Sequence, residues 1–468
     1  MKPPNVFDRD LEWAALERFV GLEDRGPLLA LVTGRRRTGK TWLLRAFIQQ
    51  SGGAWHVFPA NMTADRMLEG LGASMAAARN IGAPIRYLDW STAFRDILAF
   101  GGPVVLDEFS YALGQDPSLG SQLQNAFDEM RQSQVRNAND RASPTRLILC
   151  GSAIGIMEGL VDGGGPLNGR LTTRLVLHPF DPWTNAAFWG LDARRALLVQ
   201  VVLGGIPAYR TLFKVAPPEH GEAPELWLLR EILAQDRAIF FEPRILLDFE
   251  GRRQHAALHA TLQAVGLGAN RLSEIAARTG SSAQAAEQRL RTLAEVRLVE
   301  NVPDVFRQNR ATWRLVDPLL RTWFAVMEPS AADLERLVRP DPGLVAQRFR
   351  AQVLGPGLED LCRAWMRRQP GVESVGSGVT AAGEVDVVAF GRAEGGRRAI
   401  LAVGEAKARE CLFGAEEVAR LARIRDSLPD RFDRGPTRLA CFSTTGFQPG
   451  IGGDDVELVS LERIYRRT

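Results

Sequence analysis

The residues Gly34-Arg35-Arg36-Arg37-Thr38-Gly39-Lys40-Thr41 match GxxxxGK[ST] at every defined position, and the chemistry of that spacing is phosphate binding. Glycines let a loop curl until backbone N–H groups and a helix N-terminus surround an anion. The lysine bridges the β- and γ-phosphates, and the last hydroxyl faces magnesium. Gly34, Arg35, Arg36, Arg37, Thr38, Gly39, Lys40, Thr41 and the following Trp42 are therefore the candidate nucleotide contacts, with Lys40 also acting on the reaction and Thr41 as a metal ligand. A second signal is the apolar run Pro103-Val104-Val105-Leu106, which ends in Asp107-Glu108. Hydrolysis needs a base near the nucleophile and a carboxylate near the metal, so Glu108 is expected to act on water and Asp107 to hold the metal shell. ATP and Mg2+ are the cofactors this pair of motifs calls for.

Three weaker positions accompany them. Ser152, in LILCGSAIG, either reports the γ-phosphate state or is an ordinary turn serine. Arg170 and Arg174, in LNGRLTTR, are candidates to neutralise transition-state charge, within one subunit or across two. Pro207, in GGIPAYR, borders the adenine side or merely breaks a helix.

A separate constellation lies near the C-terminus: Glu359 in a helical stretch, Asp386 in GEVDVVA, and Glu405-Ala406-Lys407 ending the run ILAVGEAK. Strand side chains alternate with a period of two, so Glu405 and Lys407 share a face. Carboxylates beside a lysine suit magnesium-dependent phosphodiester hydrolysis: Glu359, Asp386 and Glu405 as metal ligands, and Asp386, Glu405 and Lys407 as the catalytic set. The competing reading is a same-face ion pair on a solvated sheet. Composition weighs against it. Of the 58 basic residues only Lys2, Lys40, Lys214 and Lys407 are lysines, and two of these four fall at the phosphate-loop and E-x-K positions, where a compact point charge differs from a planar guanidinium.

These residues need elements to position them. The run at 28–33 followed by TWLLRAFIQQ reads as strand, loop and helix. Further strands are expected at 55–59, 103–106 and 146–150, with helices near 64–79 and 91–100. This alternation implies a parallel sheet covered on both faces. From about residue 180 helical patterns take over. Residues 255–327 read as three helices, two strands and a last helix, the order of a winged helix, and VRPDPG at 338–343 reads as a linker. Strand and helix alternate again to the end.

At 468 residues about three domains are expected. The 45% hydrophobic and 24% charged fractions are those of globular proteins, and a net charge of +3 gives no global argument for nucleic acid. Four scattered cysteines argue against a zinc site or disulfide framework. No apolar run nears the roughly 20 residues that cross a bilayer, and the first residues lack a signal-peptide core, so a cytoplasmic protein with no membrane partner is expected.

Taken together, FDRDLEWAALERF, GRRRTGKTWLL, PVVLDEFSY, LILCGSAIGIM, LNGR and GGIPAYR resemble the archaeal-type ATPases, a branch of the AAA-like P-loop family near the signal-transduction ATPases. The resemblance covers roughly residues 5–330, implies an ATPase core, helical lid and winged helix, and matches Arg9 to the family's early arginine. Arg210 departs from the aliphatic residue expected after Tyr209. Residues of about 350–460 resemble the PD-(D/E)xK restriction-endonuclease-like domains found in many such ATPases. The fold class is thus α/β multidomain. The expected divisions are a P-loop core at 1–180, a lid at 181–250, a winged helix at 251–330, a linker at 331–350 and a nuclease-like domain at 351–468. Gln284, Gln288, Arg289 and Arg291 are the DNA-reading candidates on the third helix of the winged module, with intramolecular packing as its default role. The expected function is ATP binding and hydrolysis controlling a nuclease-like domain that acts on DNA. The alternatives are a signalling or defence switch whose C-terminal domain binds a partner or nucleic acid without cleaving it, and a remodelling ATPase. Self-association or a protein partner fits each reading.

Overall fold

The computed structural model describes residues 1–136, 144–247, 255–307, 310–336, 338–393, 396–433 and 435–466. It divides into two compact units, Met1–Pro179 and Phe180–Thr468.

The first unit is a five-stranded, all-parallel sheet. Its strands are β1 (Leu28–Gly34), β2 (Ala54–Val57), β3 (Pro103–Asp107), β4 (Arg146–Gly151) and β5 (Leu171–Leu177), in the order β2-β3-β4-β1-β5. Every residue of β1, β3 and β4 is buried, which is why they read as uninterrupted apolar runs. Alternate residues feed opposite cores. Leu29, Leu31, Val104, Leu106, Leu147 and Leu149 pack with the helices Ala64–Ala78, Trp90–Leu98 and Leu119–Arg136. Leu28, Ala30, Val32, Val105, Ile148 and Cys150 pack with Asp10–Val20 and Lys40–Ser51. β5 adds a strand to those located from the sequence in this unit, the last of which lies at 146–150. As an edge strand with half-exposed Thr172, Thr173 and Arg174 it lacks the apolar run that marks the others.

The second unit opens with the helices Pro182–Trp189 and Ala193–Leu203 and continues through short helices to Ala238–Leu246. Three helices follow (His255–Gly266, Leu272–Arg278, Ala283–Glu295), then an antiparallel hairpin of β6 (Val299–Pro303) and β7 (Ala311–Leu315), and the helix Pro318–Thr322. Gln308 and Asn309, between the two strands, lie outside the described residues. The expected linker at 331–350 is largely helical, with turns at Ala331–Glu335 and Pro342–Phe349 that bury Leu334, Val345 and Phe349. Pro342 sits in the first turn of a helix, where its missing N–H costs nothing.

The helix Gly355–Met366 then leads into a mixed sheet of β8 (Ser374–Val379), β9 (Glu384–Arg392), β10 (Arg398–Lys407), β11 (Arg438–Ser443) and β12 (Val456–Ser460), in the order β12-β11-β10-β9-β8. β8, β9 and β10 are antiparallel neighbours, while β10, β11 and β12 run parallel, with the helix Ala415–Asp426 crossing between β10 and β11.

Candidate nucleotide and carboxylate sites

β1 ends at Gly34, whose φ of +150° is open to glycine, and a Cβ there would stand 2.4 Å from the Leu177 carbonyl oxygen of β5. The chain turns through the loop and enters the helix Lys40–Ser51. Gly39 caps that helix without a side-chain bond, and its first turn holds no acidic residue. The uncapped N–H groups and the positive end of the helix dipole suit a phosphate. Lys40 is buried, and its Nζ donates to the carbonyl oxygens of Gly34 at 2.9 Å and Arg35 at 3.0 Å, clasping the loop. Burial lowers its pKa, opposed by the neighbouring Cys150, Glu108 and Asp107.

β3 delivers the two acids. Asp107 is fully buried; its Oδ2 accepts from the Thr41 hydroxyl at 2.8 Å and its Oδ1 from the Glu108 N–H at 3.0 Å. The last loop residue and the strand-tip carboxylate, 66 residues apart in sequence, therefore meet as an oxygen pair suited to a hard divalent cation. Glu108 stands at φ +52°, left-handed, and its carboxylate accepts from the Ser152 hydroxyl at 2.8 Å and the Ser152 N–H at 3.3 Å. Ser152 thus acts on Glu108, a link that the sequence reading did not make.

Other candidates are engaged elsewhere. Arg170 forms a two-pronged pair with Asp128 (2.8 and 2.6 Å) and also reaches the carbonyls of Pro166 and Asn168, none of them phosphate-loop residues. Arg174 pairs with Glu158 at 3.0 Å and Asp162 at 3.1 Å. Trp42 is exposed on the loop's helix. Pro207 begins the helix Pro207–Thr211 in the second unit. Arg9 emerges as more than a motif residue: buried at φ +71°, it donates to the carbonyls of Thr38 (3.3 Å) and His178 (2.8 Å) and pairs with Glu12 at 2.9 Å. It braces the phosphate loop from beneath.

In the second unit, β9 and β10 bring Asp386, Glu405 and Lys407 together. Asp386 Oδ2 accepts from the Ala406 N–H at 2.9 Å. Glu405 is buried, one carboxylate oxygen paired with both Lys407 and Arg420 and the other buried without a hydrogen-bond partner among the described residues. Arg420, on the helix Ala415–Asp426, was not foreseen. Glu359 projects from Gly355–Met366, where the buried Arg363 reaches it at 3.4 Å and donates to the Asp386 carbonyl at 2.8 Å. Burial, reinforced by the Asp386 charge, pushes the Glu359 carboxyl up to about 7. Burial and then the Glu405 charge raise Asp386, against the Ala406 hydrogen bond. Among the described residues no three His, Cys, Asp or Glu side chains converge as a ready-made metal cage. The orphaned Glu405 oxygen and the raised carboxyls nevertheless fit a divalent cation, which would relieve crowded negative charge.

On the helix Ala283–Glu295, Gln284 and Arg291 are exposed, and Arg291 pairs with Glu287 at 2.6 Å. The loop after β6 turns toward β8: the Val305 N–H donates to the Ser377 carbonyl at 3.1 Å, and Phe306 is buried among Val385, Val388, Phe390 and Phe432.

A parallel sheet with strand order β2-β3-β4-β1-β5, a GxxxxGKT loop after β1 and an acidic β3 tip define the first unit as a P-loop NTPase fold. The chain is similar to the Walker-type ATPase of Pyrococcus abyssi at 21% identity and a TM-score of 0.50, covering 69% of this chain and 97% of that one. Weaker likenesses are to the Aeropyrum pernix ORC2 protein in its ADPNP-ADP complexes (12% identity, TM-score 0.45, 72% and 96% covered) and to the ORC1 protein of the same organism in complex with DNA (14%, 0.32, 71% and 95%). No protein-family model and no curated protein matches the chain. No helix among the described residues is long and apolar enough to cross a membrane.

Proposed function

We propose that the first unit binds and hydrolyses ATP with Mg2+, and that its nucleotide state controls a nuclease-like carboxylate site in residues 351–468 that acts on DNA. The observation that carries the first half is the 2.8 Å bond joining Thr41 to Asp107 beside the loop clasped by Lys40. Thr41 and Asp107 would hold Mg2+, which when bound supplies charge neutralisation to the phosphates. Lys40 exchanges its two carbonyl partners for β- and γ-phosphate oxygens. Glu108 orients the attacking water and takes its proton as the bond to the γ-phosphorus forms and the bridging oxygen leaves with ADP. That step requires Glu108 to give up Ser152, so Ser152 is a latch on the base. The resemblance to archaeal-type ATPases supports the lid and winged-helix readings of 181–250 and 251–330, and Arg170 as a finger that must first leave Asp128.

For the second half, Asp386 and Glu405, with Glu359 beside them, would hold a divalent cation, which supplies Lewis acidity toward a phosphodiester. Lys407 stabilises the charge that develops on the attacked phosphate. The hold of Lys407 and Arg420 on Glu405 favours one alternative, a switch whose C-terminal domain binds nucleic acid without cutting it.

ATP turnover and DNA cleavage in the intact protein test both halves. Lys40→Ala is expected to abolish nucleotide binding, and Glu108→Gln to retain binding while losing turnover. Wild-type turnover in both variants would refute these roles. With linear and plasmid DNA and Mg2+ or Mn2+, cleavage lost in Asp386→Ala supports the nuclease. DNA bound in an ATP-dependent way without scission selects the switch.

A further inference from the structure

Asp360, next to Glu359 on the helix Gly355–Met366, is held by three arginines from three elements. Arg314 of β7 pairs with its Oδ1, Arg321 of the helix Pro318–Thr322 reaches Oδ2 at 3.1 Å, and Arg363 reaches Oδ1 at 2.8 Å. Arg314 is steadied from behind by Glu300 of β6 at 2.6 Å. Arg363 is where this network meets the carboxylate site: one guanidinium nitrogen holds Asp360, while the other donates to the Asp386 carbonyl and touches Glu359. Asp360 therefore fixes the plane and reach of Arg363, and two of the three groups fixing Asp360 belong to the segment before residue 330, which the sequence assigned to a separate module. The buried tip at Phe306 makes a second, independent attachment of the same hairpin to the same sheet.

We infer that Arg314 and Arg321 are positioning residues of the C-terminal carboxylate site, acting through Asp360 and Arg363 on Glu359 and Asp386. The hairpin module thereby serves as that site's outer frame. The inference rests on the proposed cation-binding role of Asp386 and Glu405. Guanidinium forks suit this task because they lock a carboxylate in direction as well as distance, and loss of an outer partner of a metal ligand typically weakens metal binding about 10–100-fold.

The test is Mn2+ binding to the full chain without nucleotide, followed by the electron paramagnetic resonance signal of free Mn2+, alongside the melting temperature. Asp386→Asn identifies the binding that belongs to this site. Arg314→Gln and Arg321→Gln are each expected to weaken that binding by about 10-fold, with Arg314→Lys intermediate, because a lysine keeps the charge and loses the fork. A purely structural role would lower the melting temperature and leave the affinity of the folded protein unchanged, and that outcome overturns the inference. Should one glutamine variant fail to fold, the other and Arg314→Lys carry the comparison. Binding that is lost in Asp386→Asn but wild-type in every arginine variant overturns the inference and leaves the proposed site standing. Absence of any Asp386-dependent Mn2+ binding in the wild type overturns the proposed site and the inference with it.

Discussion

Two buried residues that no motif marks out as catalytic govern the first unit at the scale of single side chains. Arg9 holds the loop through the Thr38 carbonyl, and a hydrogen bond from a charged group contributes about 1.5–3 kcal/mol. Arg9→Ala is therefore expected to weaken binding of a fluorescent ATP analogue by about 10-fold or more. Arg9→Lys should restore little of it, since one ammonium cannot span the Thr38 and His178 carbonyls and Glu12 together. His56, on β2, bonds Ser74 at 2.9 Å through Nδ1 while burial lowers its pKa from 6.5 to about 4. Its folded form stays neutral where the unfolded chain takes up a proton, so stability present above pH 6.5 is lost as pH falls from 6.5 toward 4. At about 1.4 kcal/mol per unit the loss reaches about 3 kcal/mol. Urea unfolding at pH 7.5 and 4.5 should show this difference in wild type and a smaller one in His56→Gln; equal differences would exclude His56 as the source.

At the scale of elements, what the sequence disclosed depended on burial. β1, β3 and β4 lie at the centre of the sheet with both faces covered, so each is a contiguous apolar run, and the phosphate loop and Asp107 follow from their ends. β5 lies at the edge with Thr172, Thr173 and Arg174 interleaved, so it presents no apolar run by which a strand could be recognised. The link of Ser152 to Glu108 and the partners of Arg170 and Arg363 depend on contacts between distant residues, which leave no local pattern. The hidden strand has a consequence for the visible motif. Gly34 is the loop's first residue and also the register partner of Leu177 in β5. Gly34→Ala puts a methyl group 2.4 Å from the Leu177 carbonyl and an L side chain at φ +150°. The expected result is a loss of about 2–3 kcal/mol in stability together with loss of nucleotide binding, read by calorimetry and analogue titration. A variant that binds normally would show that the loop tolerates displacement from β5.

For the molecule as a whole, cores divide the chain differently from motifs. One continuous cluster joins Trp189, Val201, Leu262, Leu319, Phe324, Phe349, Leu361, Val387, Phe442 and Ile464, so the segments read as lid, winged helix, linker and nuclease-like domain share their interior. The sheet β8–β12 is covered on one face by this cluster and on the other by a second that includes Phe306 from the hairpin loop. A boundary at residue 350 would cut through both, exposing Val387, Ala402 and Phe442 on one side and removing Phe306 from the other. Residues 180–468 are accordingly expected to unfold as one cooperative transition, whereas 351–468 expressed alone should be molten, binding a hydrophobic dye and lacking dispersed amide resonances. Phe306→Ala in the full chain supplies the quantitative check. Emptying that site should cost about 3–5 kcal/mol. If the second unit is one cooperative body, the loss appears in the same calorimetric transition that Leu319→Ala lowers, although Leu319 belongs to the other core. Separate transitions for the two variants, or a well-folded 351–468 fragment, would instead establish the C-terminal sheet as an autonomous domain that the hairpin only touches.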